Sequence, residues 1–205
     1  MKKAVIFDMD GVIVFSESHY RQRRKLFFAQ HDILLTDEFQ KKLVGSNSRD
    51  MFELLIEDVE KRKWLIEQYA EFRANYPIDY REIFNAEMVP TLEALANQGI
   101  RMAVASSSSL ENIQMILTEN QILSYFELLV SGDKFQRSKP NPEIYQYTVK
   151  KLDLTPDDCL VVEDSSIGIS AAVNADLEVL ALNNDDPAAT VPIQSVSEVL
   201  KYIEL

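Results

Sequence analysis

A short apolar segment that ends in two aspartates constrains the fold of this chain more than any other feature. Residues 4–7 form an uninterrupted apolar run, Ala-Val-Ile-Phe, which is typical of a strand buried in a parallel sheet. Asp8 and Asp10 follow this run, and Gly11 permits a turn after them. Because open α/β sheets bind ligands at the carboxyl ends of their strands, the segment predicts a site at that edge. Close carboxylates repel each other unless a cation lies between them, so we also expect a metal ion.

The Asp-x-Asp-Gly pattern has two ordinary alternatives, a simple turn and a calcium-binding loop. A calcium loop requires further oxygen ligands and a glutamate at fixed later positions. Residues 13–17 do not supply them. The simple turn stays open as long as this segment is considered alone.

Short apolar segments recur along the chain and alternate with helical patterns. One helix is expected to begin near Val89-Pro90-Thr91 and end at Gly99, and a second to be capped by Ser108 or Ser109. A third is expected to begin near Pro142. Strands are predicted at residues 4–7, 100–105, 127–130, 159–162 and 178–182. This alternation predicts an α/β fold with a doubly wound, Rossmann-like parallel sheet.

The segment from residue 16 to residue 80 interrupts this alternation. It contains no convincing strand, and Leu65, Tyr69, Phe72 and Tyr76 form an apolar stripe at helical spacing. Helices are predicted near residues 17–30, 37–44, 49–59 and 61–76. We therefore expect an all-helical cap over residues 16–80, inserted into an α/β core that is formed by residues 1–15 and 81–205.

Composition narrows the range of partners and locations. A net charge of −12 argues against nucleic acid or an anionic membrane as the main partner. No apolar run approaches the length of about 18 residues that a membrane span requires. The single cysteine, Cys159, fits a reducing cytoplasm, and the five glycines form no nucleotide-binding loop. We therefore expect a cytoplasmic monomer that acts on a small molecule.

Three further polar clusters follow the later predicted strands. Individually, each has an ordinary explanation as a helix cap or a surface charge. The clusters are Ser106–Ser109, Lys139 within Ser-Lys-Pro, and Glu163-Asp164 followed by Gly168. Together they would bring hydroxyls, an amine and two more carboxylates to the edge that holds the first two aspartates. With a divalent cation and Lys139, the four carboxylates leave a net charge near −1, which can admit a phosphate dianion.

In order and spacing, these residues resemble the four motifs of the haloacid dehalogenase superfamily of phosphotransferases. The matching motifs are Asp8-Met-Asp10-Gly11-Val12, Ser106, Lys139 in Ser-Lys-Pro, and Glu163-Asp164-Ser-x-x-Gly168. The helical insert resembles the cap of the branch that includes β-phosphoglucomutase and phosphoglycolate phosphatase. The resemblance covers nearly the whole chain, and it is specific for the superfamily rather than for a substrate.

The resemblance implies a role for each motif residue. Asp8 would attack phosphorus and become an aspartyl phosphate, and Asp10 would act as general acid and then as general base. Ser106, Ser107 and Lys139 would hold the phosphoryl oxygens. Mg²⁺ would be held by the carboxylates of Asp8 and Asp164, by the backbone carbonyl of Asp10, and by Glu163 either directly or through water.

The resemblance is less complete in the cap. Arg49, in the segment Gly45-Ser-Asn-Ser-Arg, resembles an arginine that grips a distal phosphate in the mutases, but the spacing is one residue longer. Phe15 stands near the cap hinge, where relatives usually carry an acidic residue. Three functions stay open: a Mg²⁺-dependent phosphatase for a small phosphorylated metabolite such as a sugar phosphate, a β-phosphoglucomutase that works through a bisphosphate, and a non-catalytic phosphate-binding module.

Overall fold

The structure, a computed structural model that describes residues 1–203, is built around a six-stranded parallel sheet. The strand order is β3-β2-β1-β4-β5-β6, so the first strand lies at the centre, with β2 on one side and β4 on the other. The strands are β1 Ala4–Phe7, β2 Arg101–Ser106, β3 Leu128–Ser131, β4 Cys159–Glu163, β5 Glu178–Leu182 and β6 Val191–Ile193. The predicted doubly wound α/β fold is confirmed.

Four helices and their connections cover the two faces of the sheet. Helices α5 (Met88–Asn97) and α6 (Leu110–Glu119) pack on the face that includes Phe7. Helices α7 (Glu143–Lys151) and α8 (Ser166–Val173) pack on the opposite face. Every residue of β1 is fully buried, because helices cover both of its faces. Among residues 1–203, no helix combines the length and the apolar character needed to cross a membrane.

The last strand and the segment after it were not predicted. Strand β6 has only three residues, and one of them is Pro192. Proline is tolerated there because β6 is an edge strand of this sheet and pairs with β5 on one side only, so fewer backbone N–H groups are needed for hydrogen bonds. A 3-10 helical segment, Val196–Tyr202, follows and packs on the same face as α5. A three-residue strand that contains proline has too weak a pattern to be recognised in the sequence.

The residues between β1 and α5 form helices α1 to α4, which confirms an inserted helical cap. The helices are α1 Glu17–Ala29, α2 Asp37–Lys41, α3 Ser48–Leu55 and α4 Val59–Asn75. They share a core of their own, in which Phe27 and Phe52 contact Tyr69. Tyr76 of the predicted stripe is 48% exposed, because α4 ends before it. The division of the chain at residues 16 and 80 stays a prediction.

Two of the cap helices are shorter than predicted. Helix α2 ends at Lys41 rather than near residue 44, and the chain then turns at Gly45, where φ is +79°. Helix α3 ends at Leu55, since Ile56 is extended and Asp58 caps the next helix by accepting the N–H of Lys61. The turn at Gly45 and the cap residue Asp58 therefore set the boundaries of α2 and α3.

Candidate active site

The carboxyl ends of β1, β2 and β4 bring the side chains of the sequence motifs together. Asp8 directly follows β1, and Glu163 is the last residue of β4. Lys139, in the loop before α7, places its Nζ 2.7 Å from Asp8 Oδ1 and 2.5 Å from Glu163 Oε1. All three side chains are buried, so the amine and the carboxylates interact away from bulk water.

Lys139 is held by four acceptors rather than by the two carboxylates alone. Its Nζ also donates to the Ala105 carbonyl oxygen and to the Tyr145 hydroxyl, at 3.1 Å in both cases. Burial by itself would lower the pKa of Lys139, but Asp8 and Glu163 outweigh it and hold the pKa well above its usual range. The side chain is therefore a fixed ammonium group. Tyr145 was not predicted as a site residue; it lies six residues after Lys139, on α7.

Glu163 uses both carboxylate oxygens in hydrogen bonds within the protein. Oε1 accepts from Lys139 and from the Tyr145 hydroxyl at 2.8 Å, while Oε2 accepts from the backbone N–H groups of Asp164 and Ser165 and from Ser165 Oγ. A Cβ at Gly168 would lie 1.9 Å from Oε1, so only glycine lets α8 approach this carboxylate. Glu163 is thus fixed between the lysine and the start of α8.

Asp8, Glu163 and Asp164 form a cluster in which one carboxylate oxygen from each residue lies within 4.8 Å of the other two. Burial raises the pKa of Asp8 to about 7 against the opposing effect of Lys139, and burial together with Glu163 raises the pKa of Asp164 to about 9. Gly11, with φ of +93°, leaves room for this cluster, since a Cβ there would lie 1.8 Å from Asp164 Oδ2. The chain therefore concentrates oxygen ligands in a buried place where a cation would relieve their repulsion.

Asp10 lies beside this cluster, and hydroxyl groups hold its carboxylate. Ser16 Oγ donates to Oδ1 at 2.6 Å, and Ser108 Oγ donates to Oδ2 at 3.0 Å. Both oxygens are thereby oriented while the group stays only half-buried. The sequence offered Ser108 both as a helix cap and as one of the hydroxyls at the sheet edge, and Ser109 is the residue that caps α6, by accepting the N–H of Asn112. The second aspartate is therefore positioned differently from the first.

Ser106 and Ser107 lie at the end of β2, next to Asp8. Ser106 is buried, and its Oγ accepts the backbone N–H of Ser108 at 3.1 Å. Ser107 Oγ donates to the carbonyl oxygen of Gly45 in the cap at 2.9 Å. Of the two serines predicted as phosphate ligands, Ser106 therefore has its hydroxyl inside the turn, and Ser107 uses its hydroxyl to contact the cap.

A cavity of about 220 Å³ lies between this sheet edge and the cap. Its lining includes Asp8, Asp10 and Lys139 from the core and Arg49 from the cap. Arg49 also reaches the core, where it donates to the carbonyl oxygen of Phe135 at 3.3 Å. Phe15, between β1 and α1, is 46% exposed. The arrangement can enclose a small ligand between an acidic centre and a basic cap loop.

Comparisons with known proteins agree with this geometry. The chain matches the family model for haloacid dehalogenase-like hydrolases over residues 5–182. A phosphorylated carbohydrates phosphatase of Thermotoga maritima is 28% identical over 182 residues, which cover 86% of this chain and 82% of that protein. A β-phosphoglucomutase of Bacillus subtilis is 28% identical over 194 residues, which cover 90% and 85%.

Solved structures show the same fold. A crystal structure of β-phosphoglucomutase from Clostridium difficile superposes with a TM-score of 0.89, at 22% identity, over 100% of this chain and 96% of that one. The family match extends from β1 to β5 and so includes all four motifs on the sheet edge. This chain therefore belongs to the haloacid dehalogenase-like hydrolases, and within them it is a phosphoric monoester hydrolase or a phosphomutase.

Proposed function

We propose that the chain is a Mg²⁺-dependent phosphatase that hydrolyses a small phosphorylated metabolite, such as a sugar phosphate, through an aspartyl phosphate on Asp8. The observation that carries the proposal is the pairing of two aspartates in different settings. Asp8 lies against the Lys139 ammonium, while Asp10, two residues on, is oriented by Ser16 and Ser108 beside the same cavity. One carboxylate is suited to attack, and the other to proton transfer.

The residues present fit a hard divalent cation. Asp8, Glu163 and Asp164 offer only oxygen ligands, and Gly11 leaves space beside Asp164. We propose that Asp8, Asp164 and the Asp10 carbonyl oxygen hold Mg²⁺. The oxygens of Glu163 already accept hydrogen bonds from Lys139 and the start of α8, so we propose that it acts on the ion through water. When bound, Mg²⁺ supplies positive charge that offsets the carboxylates and the incoming phosphate.

The residues of the chain then account for both chemical steps. In the first step, Asp8 forms a bond to phosphorus while the bond to the leaving oxygen breaks, and Asp10 gives that oxygen a proton. In the second, Asp10 takes a proton from water as the water oxygen attacks phosphorus and releases Asp8. Lys139, Ser106 and the backbone N–H groups near Ser107 stabilise the negative charge on the phosphoryl oxygens.

One observation favours β-phosphoglucomutase as a second candidate. The cap loop is hydrogen-bonded to the core, because Asn47 donates to Ser138 Oγ at 2.6 Å and Ser107 donates to the Gly45 carbonyl oxygen. A cap seated in this way limits the entry of water, so a sugar hydroxyl could take the place of water next to Asp10. The two reactions share every core residue, and the cap decides between them.

A panel of phosphate esters, assayed with Mg²⁺ and after chelation, tests the proposal. We expect inorganic phosphate to be released from sugar phosphates, with no turnover once Mg²⁺ is removed. Conversion of β-glucose 1-phosphate to glucose 6-phosphate only after priming with glucose 1,6-bisphosphate would support the mutase instead. If neither phosphate release nor isomerisation occurs with any ester of the panel, the proposal is wrong.

A further inference from the structure

Two arginines of the cap face the cavity without a charged partner. Arg23 on α1 lines the cavity and is only 7% exposed. Within residues 1–203, its side chain forms neither an ion pair nor a hydrogen bond. The same is true, within the described chain, of Arg73, which lines the cavity from α4 and is half-buried. The guanidinium nitrogens of Arg23 are not among the buried polar atoms that lack a partner, so they reach the open space of the cavity. A guanidinium group that faces a cavity without an acidic partner attracts an anion, and a bound anion would pair with both side chains.

The other two arginines of the cavity wall are already paired. Arg24 donates to Glu17 at 2.6 Å and lies 3.5 Å from Gln40 Oε1. Arg49 lies 3.5 Å from Asp50 and donates to the core. The chain has 33 acidic residues against 21 basic ones, so acidic partners are abundant. Of the four arginines that line the cavity, Arg24 and Arg49 are therefore paired, and, in the part of the chain that the structure describes, Arg23 and Arg73 are not.

Tyr69 lines the same cavity as the two unpaired arginines. Its side chain is buried on α4 and lines the cavity. Burial raises the pKa of the Tyr69 hydroxyl, while Arg24, Arg23 and Arg73 act in the opposite direction. The neutral Tyr69 hydroxyl therefore shares the cavity wall with Arg23 and Arg73, and it can donate a hydrogen bond to an anion together with them.

We infer that Arg23, Arg73 and the Tyr69 hydroxyl form a subsite for a second anionic group of the substrate, on the cap side of the cavity. The inference rests on the proposed function and names the substrate class, which is phosphomonoesters that carry a second phosphate or a carboxylate. This subsite lies on helices α1 and α4, and so differs from the loop that carries Arg49, whose guanidinium contacts the core. Sugar monophosphates with no second charge leave both arginines unpaired.

The test compares three esters: glucose 6-phosphate, glucose 1,6-bisphosphate and 3-phosphoglycerate. We expect the wild-type kcat/KM to be about tenfold or more higher for at least one of the doubly anionic esters, because a hydrogen bond to a charged group contributes that much. Preference for the bisphosphate alone identifies a phosphate as the second group, and preference for the phosphoglycerate alone identifies a carboxylate. Arg23→Met should reduce the preference about tenfold. Lys25→Met removes the same charge from the exposed side of α1 and should retain the preference.

Equal kcat/KM for all three esters in the wild type would overturn the inference. So would a loss in Arg23→Met that is the same for every ester, since it would mean that Arg23 supports the fold. Arg73→Met, at a half-buried position, repeats the test if circular dichroism shows that Arg23→Met does not fold. Binding of the same esters to Asp8→Asn and to Asp8→Asn/Arg23→Met is also measured by calorimetry. A binding preference can be measured even if no ester is hydrolysed, so this experiment tests the subsite separately from the proposed function.

Discussion

At the scale of single residues, the site depends on how one ammonium group is held. Lys139 Nζ has four oxygen neighbours, and two of them, Glu163 Oε1 and the Tyr145 hydroxyl, are also bonded to each other at 2.8 Å. This closed triangle restricts the direction in which the lysine can point. The Tyr145 ring adds to it, since Nζ lies 4.9 Å from the ring centroid. Lys139 is therefore positioned before any phosphate arrives, which is what charge stabilisation in a transition state requires.

Removal of the Tyr145 hydroxyl should show how much this positioning matters. Tyr145→Phe keeps the ring and loses two hydrogen bonds of a charged network, so we expect kcat to fall about tenfold, in line with about 1.5–3 kcal/mol for a bond to a charged group. Steady-state kinetics with p-nitrophenyl phosphate as the substrate measures this change in kcat. Tyr147→Phe, on the same helix, removes a hydroxyl whose partner is the surface Lys134 and serves as the control. An unchanged kcat in Tyr145→Phe would mean that the two carboxylates position Lys139 unaided.

At the scale of elements, much of the site could be predicted because its residues follow strand ends directly. Asp8 comes after β1, Ser106 ends β2, and Glu163 ends β4, so their meeting follows from a parallel sheet. Tyr145 and Ser108 could not be predicted in the same way. Their contacts depend on how α7 and the turn before α6 lie against the sheet, which no local pattern encodes. Arg23 was missed because a charged residue on an amphipathic helix is normally expected to face solvent.

The turn after β1 provides a test at this scale. Gly11 in this turn and Gly99, between α5 and β2, both have a positive φ, so one can serve as the control for the other. Gly11→Ala introduces backbone strain and also a Cβ that would lie 1.8 Å from Asp164 Oδ2, whereas at Gly99, with φ of +72°, nothing lies within 4 Å. Gly99→Ala should therefore lose only about 1–2 kcal/mol of unfolding free energy. Gly11→Ala should in addition raise the Mg²⁺ concentration for half-maximal activity about 10- to 100-fold, as when a group that supports a metal ligand is changed. The same Mg²⁺ requirement in both variants would contradict the placement of Asp164 at the ion.

At the scale of the whole molecule, charge is separated across the cavity. The chain carries a net charge of −12, and its buried carboxylates collect at the sheet edge, while four arginines of the cap line the opposite wall. The cap has its own apolar core, distinct from those on the two faces of the sheet. The fold therefore presents an acidic centre and a basic lid to one small space, and a cation at the centre would join the two into a site for phosphate.

The acidic centre should make the stability of the molecule depend on Mg²⁺. At about 100 times its dissociation constant, a ligand that binds only the folded state adds about 2.7 kcal/mol, or about 5–10 °C in Tm for a chain of this size. Differential scanning fluorimetry measures this shift. NaCl at equal ionic strength controls for screening of the net charge, and Asp164→Asn should respond less to Mg²⁺. An equal rise in Tm with both salts would argue against a specific site.

The central claim is that Asp8 carries the phosphoryl group, and its direct test is mass spectrometry of acid-quenched enzyme. Asp10→Asn, mixed with Mg²⁺ and p-nitrophenyl phosphate, should accumulate the adduct, because loss of the general base slows its hydrolysis by about 10²–10⁴-fold. The account predicts one phosphoryl group on the peptide that contains Asp8, and none in Asp8→Asn/Asp10→Asn. A phosphoryl group on any other peptide, or one that persists when Asp8 is replaced, would contradict it.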